Sequence, residues 1–160
     1  MYKIIDNCIT KKKQKFIVET IIDNHSFPWY LQKDVSFDNG KQQRPCFAHI
    51  FVNEAEENSH YFNLIKPIIN KLNILSLIRA KVNCFPKSEK LIKYDKHRDF
   101  NFNHKGAIYY LNTCDGGTYI GDKFIPSIEN QILLFDSSTP HQSTNCTDEK
   151  CRFNININYF

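Results

Sequence analysis

Two rhythms of hydrophobic positions divide the chain. In the first half apolar residues recur at helical spacing: Phe16, Ile17, Ile21 and Ile22 form one buried stripe, and Thr10 stands where it caps the helix that carries them. Ser59 caps a second expected helix with Phe62, Ile65, Ile69 and Leu72 on one face; Pro67 either kinks it or occupies its first turn. The aromatic run Phe27-Pro28-Trp29-Tyr30-Leu31 reads as a strand entry, and 48–52 as a short strand. From Ile74 onward the period shortens. Strands are predicted at 78–83, 91–94, 106–112, 118–120, 123–125, 131–135 and 151–159, punctuated by Pro86-Lys87-Ser88, Cys114-Asp115-Gly116-Gly117, Gly121-Asp122 and Ser137-Ser138-Thr139-Pro140. Many short strands at this spacing predict a sandwich or barrel, with the two helices backing a sheet.

The final strand carries the most information. Cys151, Phe153, Ile155, Ile157 and Tyr159 fall on one face, and Arg152, Asn154, Asn156 and Asn158 on the other. Two readings stand: a surface strand with its polar side in water, or a strand packed on the helices whose polar side lines a ligand cavity.

Composition narrows the class. The 160 residues set the expectation of a single domain, and 41% hydrophobic content with 13 Phe and 8 Tyr excludes a disordered polyelectrolyte. The net charge of +4 permits an anionic partner without demanding one, since the lysines are scattered. Lys11-Lys12-Lys13 with Lys15 reads as a solvated helix face rather than a phosphate contact. The six cysteines show no C-x-x-C pair, which argues against a zinc ribbon or a thioredoxin-like motif. Neither a signal peptide nor a membrane-length apolar run is evident, so a cytoplasmic protein with free thiols and no membrane partner is expected.

His97-Arg98-Asp99 follows the predicted strand at 91–94, and a His-x-Asp turn directs both side chains toward one point. His141 follows the strand at 131–135. Two neutral imidazoles and a carboxylate make the facial triad that suits Fe(II) and keeps coordination positions open, as 2-oxoglutarate and O2 require. The far carboxylate of 2-oxoglutarate needs a buried cation. Arg152, on the polar face of the last strand, offers a bidentate guanidinium, whereas Lys150 sits at the strand entry. His-x-Asp alone is a weak signal; its strength lies in the order of strand, His-x-Asp, strand pair, strand, His and then Arg.

Ala107-Ile108-Tyr109-Tyr110-Leu111-Asn112, Gly116-Gly117-Thr118, Phe135 ahead of Pro140-His141, and Arg152 through the closing Asn158-Tyr159-Phe160 together resemble the catalytic core of prolyl-4-hydroxylase-type 2-oxoglutarate oxygenases. The resemblance spans about 77–160. The Phe27-Pro28-Trp29-Tyr30 segment is similar, more loosely, to small oxygenases of bacterial viruses. The resemblance implies a mainly β fold with flanking helices and a double-stranded β-helix (jelly-roll, cupin-like) core, with 1–76 as N-terminal support and 77–160 as the catalytic core of one domain. It implies His97, Asp99 and His141 as iron ligands and Arg152 as partner of the 2-oxoglutarate tail. Tyr110 and Asn156 would then face the cosubstrate, with Asn156 where the family often has Thr, while Tyr109 packs on the other side. His104 has no role in this pattern and reads as a loop histidine near the mouth.

The implied activity is hydroxylation of a C–H bond, with O2 consumed and 2-oxoglutarate decarboxylated to succinate. The favoured substrate is a peptide or protein residue or an amino acid. The second reading is a nucleic-acid base hydroxylase or dealkylase, since Cys151-Arg152-Phe153-Asn154 also resembles the Arg-x-Asn strand of dealkylation-repair dioxygenases; the absence of an Arg/Lys-dense groove and of a base-flipping insertion speaks against it. A third is a non-catalytic metal-binding module, against which the full ligand set and Arg152 weigh. The polar, Gly-containing stretch 34–44 is either a flap or an inert loop.

Overall fold

The computed structural model describes residues 1–33 and 45–160; the stretch read as a flap or loop lies outside the described residues. The elements run β1 (Tyr2–Ile5), α1 (Lys11–Val18), β2 (Tyr30–Gln32), β3 (Cys46–Asn53), β4 (Glu56–Glu57), α2 (Lys66–Lys71), β5 (Leu77–Pro86), β6 (Lys105–Tyr110), β7 (Cys114–Ile120), β8 (Lys123–Ser127), β9 (Ile132–Asp136), β10 (His141–Ser143) and β11 (Cys151–Tyr159). A large antiparallel sheet has the order β1-β9-β6-β11-β5-β3-β2, with β4 beside β3, and a smaller sheet has the order β10-β7-β8. This two-sheet, all-antiparallel arrangement is the jelly-roll core that the sequence led us to expect.

β11 is the middle strand of the large sheet. It pairs with β5 from Cys151↔Pro86 to Tyr159↔Leu77, and with β6 from Asn154↔Tyr110 to Tyr159↔Lys105. Its apolar face, Ile155, Ile157 and Tyr159, packs in one cluster with Ala80, Val82, Phe51, Tyr109 and the helical residues Ile17, Ile21, Ile65 and Ile68. Its polar face is buried as well: Arg152, Asn154 and Asn158 are all under 4% exposed. The solvent-facing reading of this strand is therefore overturned, because the second sheet covers the polar side.

The helices depart from expectation in detail. Thr10 does cap α1, accepting from the Lys13 N–H, but the helix gives way at Val18 to a π turn over Glu19–Asp23. Ile17 and Ile21 stay in the core while Phe16, one residue round the helix, is 61% exposed. The second helix is two pieces. Ser59 caps a 3-10 turn (His60–Leu64), and α2 then starts with Pro67 in its first turn, where a missing N–H costs nothing.

Three strand expectations also need correction. Residues 91–94 form no strand; Lys93 forms an isolated β-bridge to Thr144. β1 and β10 went unforeseen, both being short. Gly116-Gly117, read as a turn, lies inside β7, which bulges between Cys114 and Gly117 against β8. These glycines serve close approach rather than reversal. A Cβ on Gly116 would strike the backbone carbonyl of Asn145 and come within 2.9 Å of Arg152 Cδ, and one on Gly117 would strike the Ile125 carbonyl. The reversal itself is at Gly121, whose φ of 60° suits glycine.

Gly117→Ala is expected to lower stability by about 1–3 kcal/mol, the usual cost of overpacking where the neighbour is backbone and cannot swing away. Urea unfolding of the variant beside the unaltered protein measures it, and an unchanged midpoint would contradict the close-approach account.

Candidate active site

A cavity of about 390 Å³ opens between the two sheets. On the large sheet, Arg79, Lys81, Asn83 and Phe85 of β5 share one face, and Asn154 and Asn156 of β11 stand opposite them in register; Thr118, His141 and Ser143 come from the small sheet.

His97 and Asp99 belong to the connection between β5 and β6, and His141 opens β10. Backbone pairing joins the two segments: the His97 N–H donates to the His141 carbonyl at 3.0 Å, and the His141 N–H returns to the His97 carbonyl at 2.9 Å. The imidazoles are thereby set side by side, 4.7 Å between ring centres. Ligand atoms of His97, Asp99 and His141 lie within 4.8 Å of one another.

The tautomers follow from the hydrogen bonds. His97 Nδ1 is 3.1 Å from the Asp95 carbonyl and His141 Nδ1 is 3.0 Å from the Thr139 carbonyl. A carbonyl only accepts, so both Nδ1 atoms carry the proton and both Nε2 atoms keep a lone pair. Outer hydrogen bonds of this kind orient histidines at metal sites. Asp99 is held from several sides: Arg79 Nη2 donates to Oδ1 at 2.6 Å, while Ser137 Oγ and Asn158 Nδ2 donate to Oδ2 at 2.8 and 2.9 Å, and Asn156 Nδ2 at 3.3 Å. The residues fit a divalent ion with a preference for nitrogen and oxygen donors, and with three protein ligands they leave positions free.

Arg152 is fully buried just behind the cavity wall. Its Nη1 donates to Ser143 Oγ at 2.7 Å and to the Thr144 carbonyl at 2.9 Å, and its Nη2 donates to Thr118 Oγ1 at 3.1 Å. The rings of Phe85 and Tyr110 flank it at 5.3 and 5.6 Å. Every one of these partners is neutral, and Nε has none among the described residues. A buried cation without an anion is costly, which fits a site for a ligand carboxylate. Tyr110 lies beside Arg152, its hydroxyl donating to Thr118 Oγ1 at 3.1 Å, and Asn156 lines the cavity near Asp99.

Reading the sequence alone missed Arg79, Ser137, Lys81 and Asn83. The first, third and fourth carried a signal, since they alternate along a predicted strand, but nothing marked that face as the inner one. His104, read as a mouth residue, is buried instead among Phe100 and Phe102. A second group of ligating side chains, Cys114, Cys146 and Asp148, also converges. Burial pushes both thiols up, Cys146 to about 12, and Asp148 is exposed and accepts from the Asp115 N–H.

No family model matches the chain, and no curated protein matches it in sequence. Solved structures do match in fold. A prolyl hydroxylase from Trichoplax adhaerens, in complex with a hypoxia-inducible-factor oxygen degradation domain peptide fragment, aligns with a TM-score of 0.67 at 19% identity, over 99% of this chain and 83% of that one. The viral collagen prolyl hydroxylase of Paramecium bursaria Chlorella virus-1 aligns at 0.66 and 12% identity, over 98% and 93%. A 2OG-Fe(II) oxygenase family oxidoreductase from Burkholderia pseudomallei aligns at 0.69 and 10% identity, over 99% and 84%. The chain therefore has the fold of these oxygenases.

Burial pushes the His141 imidazole below its ordinary value of 6.5, against the pull of Asp99, so the ring is neutral near pH 7. Burial alone would raise Asp99, but Arg79, His141, Asn158 and Lys81 outweigh it and hold the carboxyl far below its usual 3.8. Because His141 binds its proton less readily folded than unfolded, the metal-free protein should lose stability as pH falls below about 6.5, by at most about 1.4 kcal/mol per pH unit from this group. Asp99 contributes only once pH drops through the ordinary carboxylate range. Urea melts at about pH 7.5 and 5.5 are expected to show a smaller loss in His141→Gln; an equal loss would mean that another group titrates.

Proposed function

We propose that this chain is a non-haem Fe(II), 2-oxoglutarate-dependent oxygenase, an oxidoreductase that hydroxylates a C–H bond. The observation that carries the reading is the donor set: two histidines whose Nδ1 protons are tied to carbonyls, their Nε2 lone pairs meeting an ionised Asp99. The shared fold of the prolyl hydroxylases and the Burkholderia oxygenase supports it.

His97, Asp99 and His141 would hold the iron, and Arg152 would take the far carboxylate of 2-oxoglutarate. Bound together, iron and 2-oxoglutarate supply the O2-dependent oxidation of the substrate, with loss of CO2 to give succinate. The protein's own work is positioning. Asn156, Asn158 and Ser137 fix the Asp99 carboxylate, and Arg79 balances its charge. Phe85 and Tyr110 keep water from Arg152, and Thr118 and Ser143 orient its donors toward the cavity side. The Trichoplax enzyme holds a peptide, so a peptidyl residue is one substrate that this fold admits.

Anaerobic addition of Fe(II) and 2-oxoglutarate is expected to produce the weak visible charge-transfer band of a keto-acid chelate. Asp99→Ala should abolish it together with substrate-stimulated succinate formation. Arg152→Met should keep iron binding but weaken 2-oxoglutarate about tenfold or more, the loss of a charge-assisted pair. A folded protein that never gives the band, or an Asp99→Ala variant with full turnover, overturns the assignment and leaves a non-catalytic binding module.

A further inference from the structure

We infer that the substrate is a small organic acid whose carboxylate is received by Lys81. The inference rests on the oxygenase reading above and deepens it.

Four cations line the cavity, Lys33, Arg79, Lys81 and Arg98, against one carboxylate, Asp99, among the described residues. Arg79 is already paired with Asp99 at 2.6 Å. Fe(II), Arg79 and Arg152 together would outweigh Asp99 and the 2-oxoglutarate dianion by one positive charge, so the bound cosubstrate does not neutralise the remaining cations. The charges left over are Lys81 on the wall and Lys33 and Arg98 at the exposed rim. A cleft with this excess concentrates anions and repels cations.

Lys81 is the informative member because it sits inside. It lies between Arg79 and Asn83 on the cavity face of β5, and no acidic group among the described residues pairs with it. Desolvation and the neighbouring Arg79 disfavour its charge, and the attraction of Asp99, already bonded to Arg79, offsets this only in part, so its position carries a cost that a neutral substrate would not relieve. Register separates it from the cosubstrate tail. Lys81 is opposite Asn156, which bonds Asp99, whereas Arg152 is opposite Phe85, about 13 Å further along the strand pair. The ammonium is thus level with the metal end of the cavity, where the oxidised C–H bond must lie. The Asn83–Asn154 amide pair, joined at 3.0 Å, stands on the adjacent wall with further donors and acceptors for the same ligand. A volume of about 390 Å³ is at the scale of a small-molecule site.

Acetate is the minimal probe and acetamide its neutral counterpart. In the anaerobic Fe(II)–2-oxoglutarate complex, paramagnetic broadening of the methyl proton signal reports a probe seated near the iron, and the visible band reports the cosubstrate in the same sample. Saturable broadening is expected with acetate and not with acetamide. Lys81→Met should weaken acetate about tenfold or more with the band intact, and Lys81→Arg should retain most of the binding. Equal behaviour of acetate and acetamide, or an unchanged acetate affinity in Lys81→Met, overturns the proposal; so does stimulation of turnover by a neutral prolyl peptide or an oligonucleotide that is indifferent to Lys81→Met. Loss of 2-oxoglutarate affinity in Lys81→Met would assign the lysine to the cosubstrate instead. Absence of the band in the unaltered protein is a different failure, that of the oxygenase reading itself.

Discussion

The structure turns on the burial of both faces of β11. A strand in the middle of a sheet has its backbone satisfied on both edges, so its side chains alone decide what each face meets. Here Ile155 and Ile157, fully buried, anchor the sheet to the helices; each contributes about 1.5–3 kcal/mol by leaving water. The alternate positions, Arg152, Asn154, Asn156 and Asn158, point into the space between the sheets. A one-residue slip would drive an arginine and three asparagines into the helical core, so the register is held by a large penalty. The apolar face thereby fixes the polar one, and with it the spacing of the site.

That coupling explains how a short chain builds a rigid site from loop residues. His97 and Asp99 lie outside named strands, yet each is tied to a fixed element. His97 is bridged through its backbone to His141 at the start of β10, and Asp99 is bonded to Arg79 on β5 and Asn158 on β11. The three side chains are oriented by protein contacts alone, so a metal ion held there would not have to order them, which would favour affinity.

Much of this was legible in the sequence, and the parts that were not have physical causes. The alternation over 151–159 gave the bounds of β11 because strand periodicity is local. His97, Asp99 and His141 were legible as a set because order along the chain mirrors order around the fold, and the structure brings them within ligand distance. Gly116 and Gly117 misled because glycine marks both turns and close approaches, and only the Asn145 and Ile125 carbonyls tell which applies. Nothing singled out Lys81 and Arg79 in the sequence; that their face is inward depends on β7 and β10, which arrive later in the chain. Phe16 failed because it stands about 100° round the helix from Ile17 and so falls outside the stripe that Ile17 and Ile21 bury.

Charge along β5 and β11 gives the site its polarity. Reading from Phe85↔Arg152 to Arg79↔Asn158, a buried guanidinium with only neutral partners comes first, then an amide pair, then Lys81 beside Asn156, and last the Arg79–Asp99 ion pair. Among the described residues Arg152 has no counter-ion, and the carboxylate that Lys81 feels, Asp99, is already bonded to Arg79; they also differ in surroundings: Arg152 is sealed between Phe85 and Tyr110, whereas Lys81 borders the open cavity. A cation closed in by rings is harder to reach from solvent than one on the open wall, and burial makes its charge the costlier of the two to leave unpaired. The same strand pair thus sets its two cations at different depths, one closed off by aromatic rings and one facing the cavity.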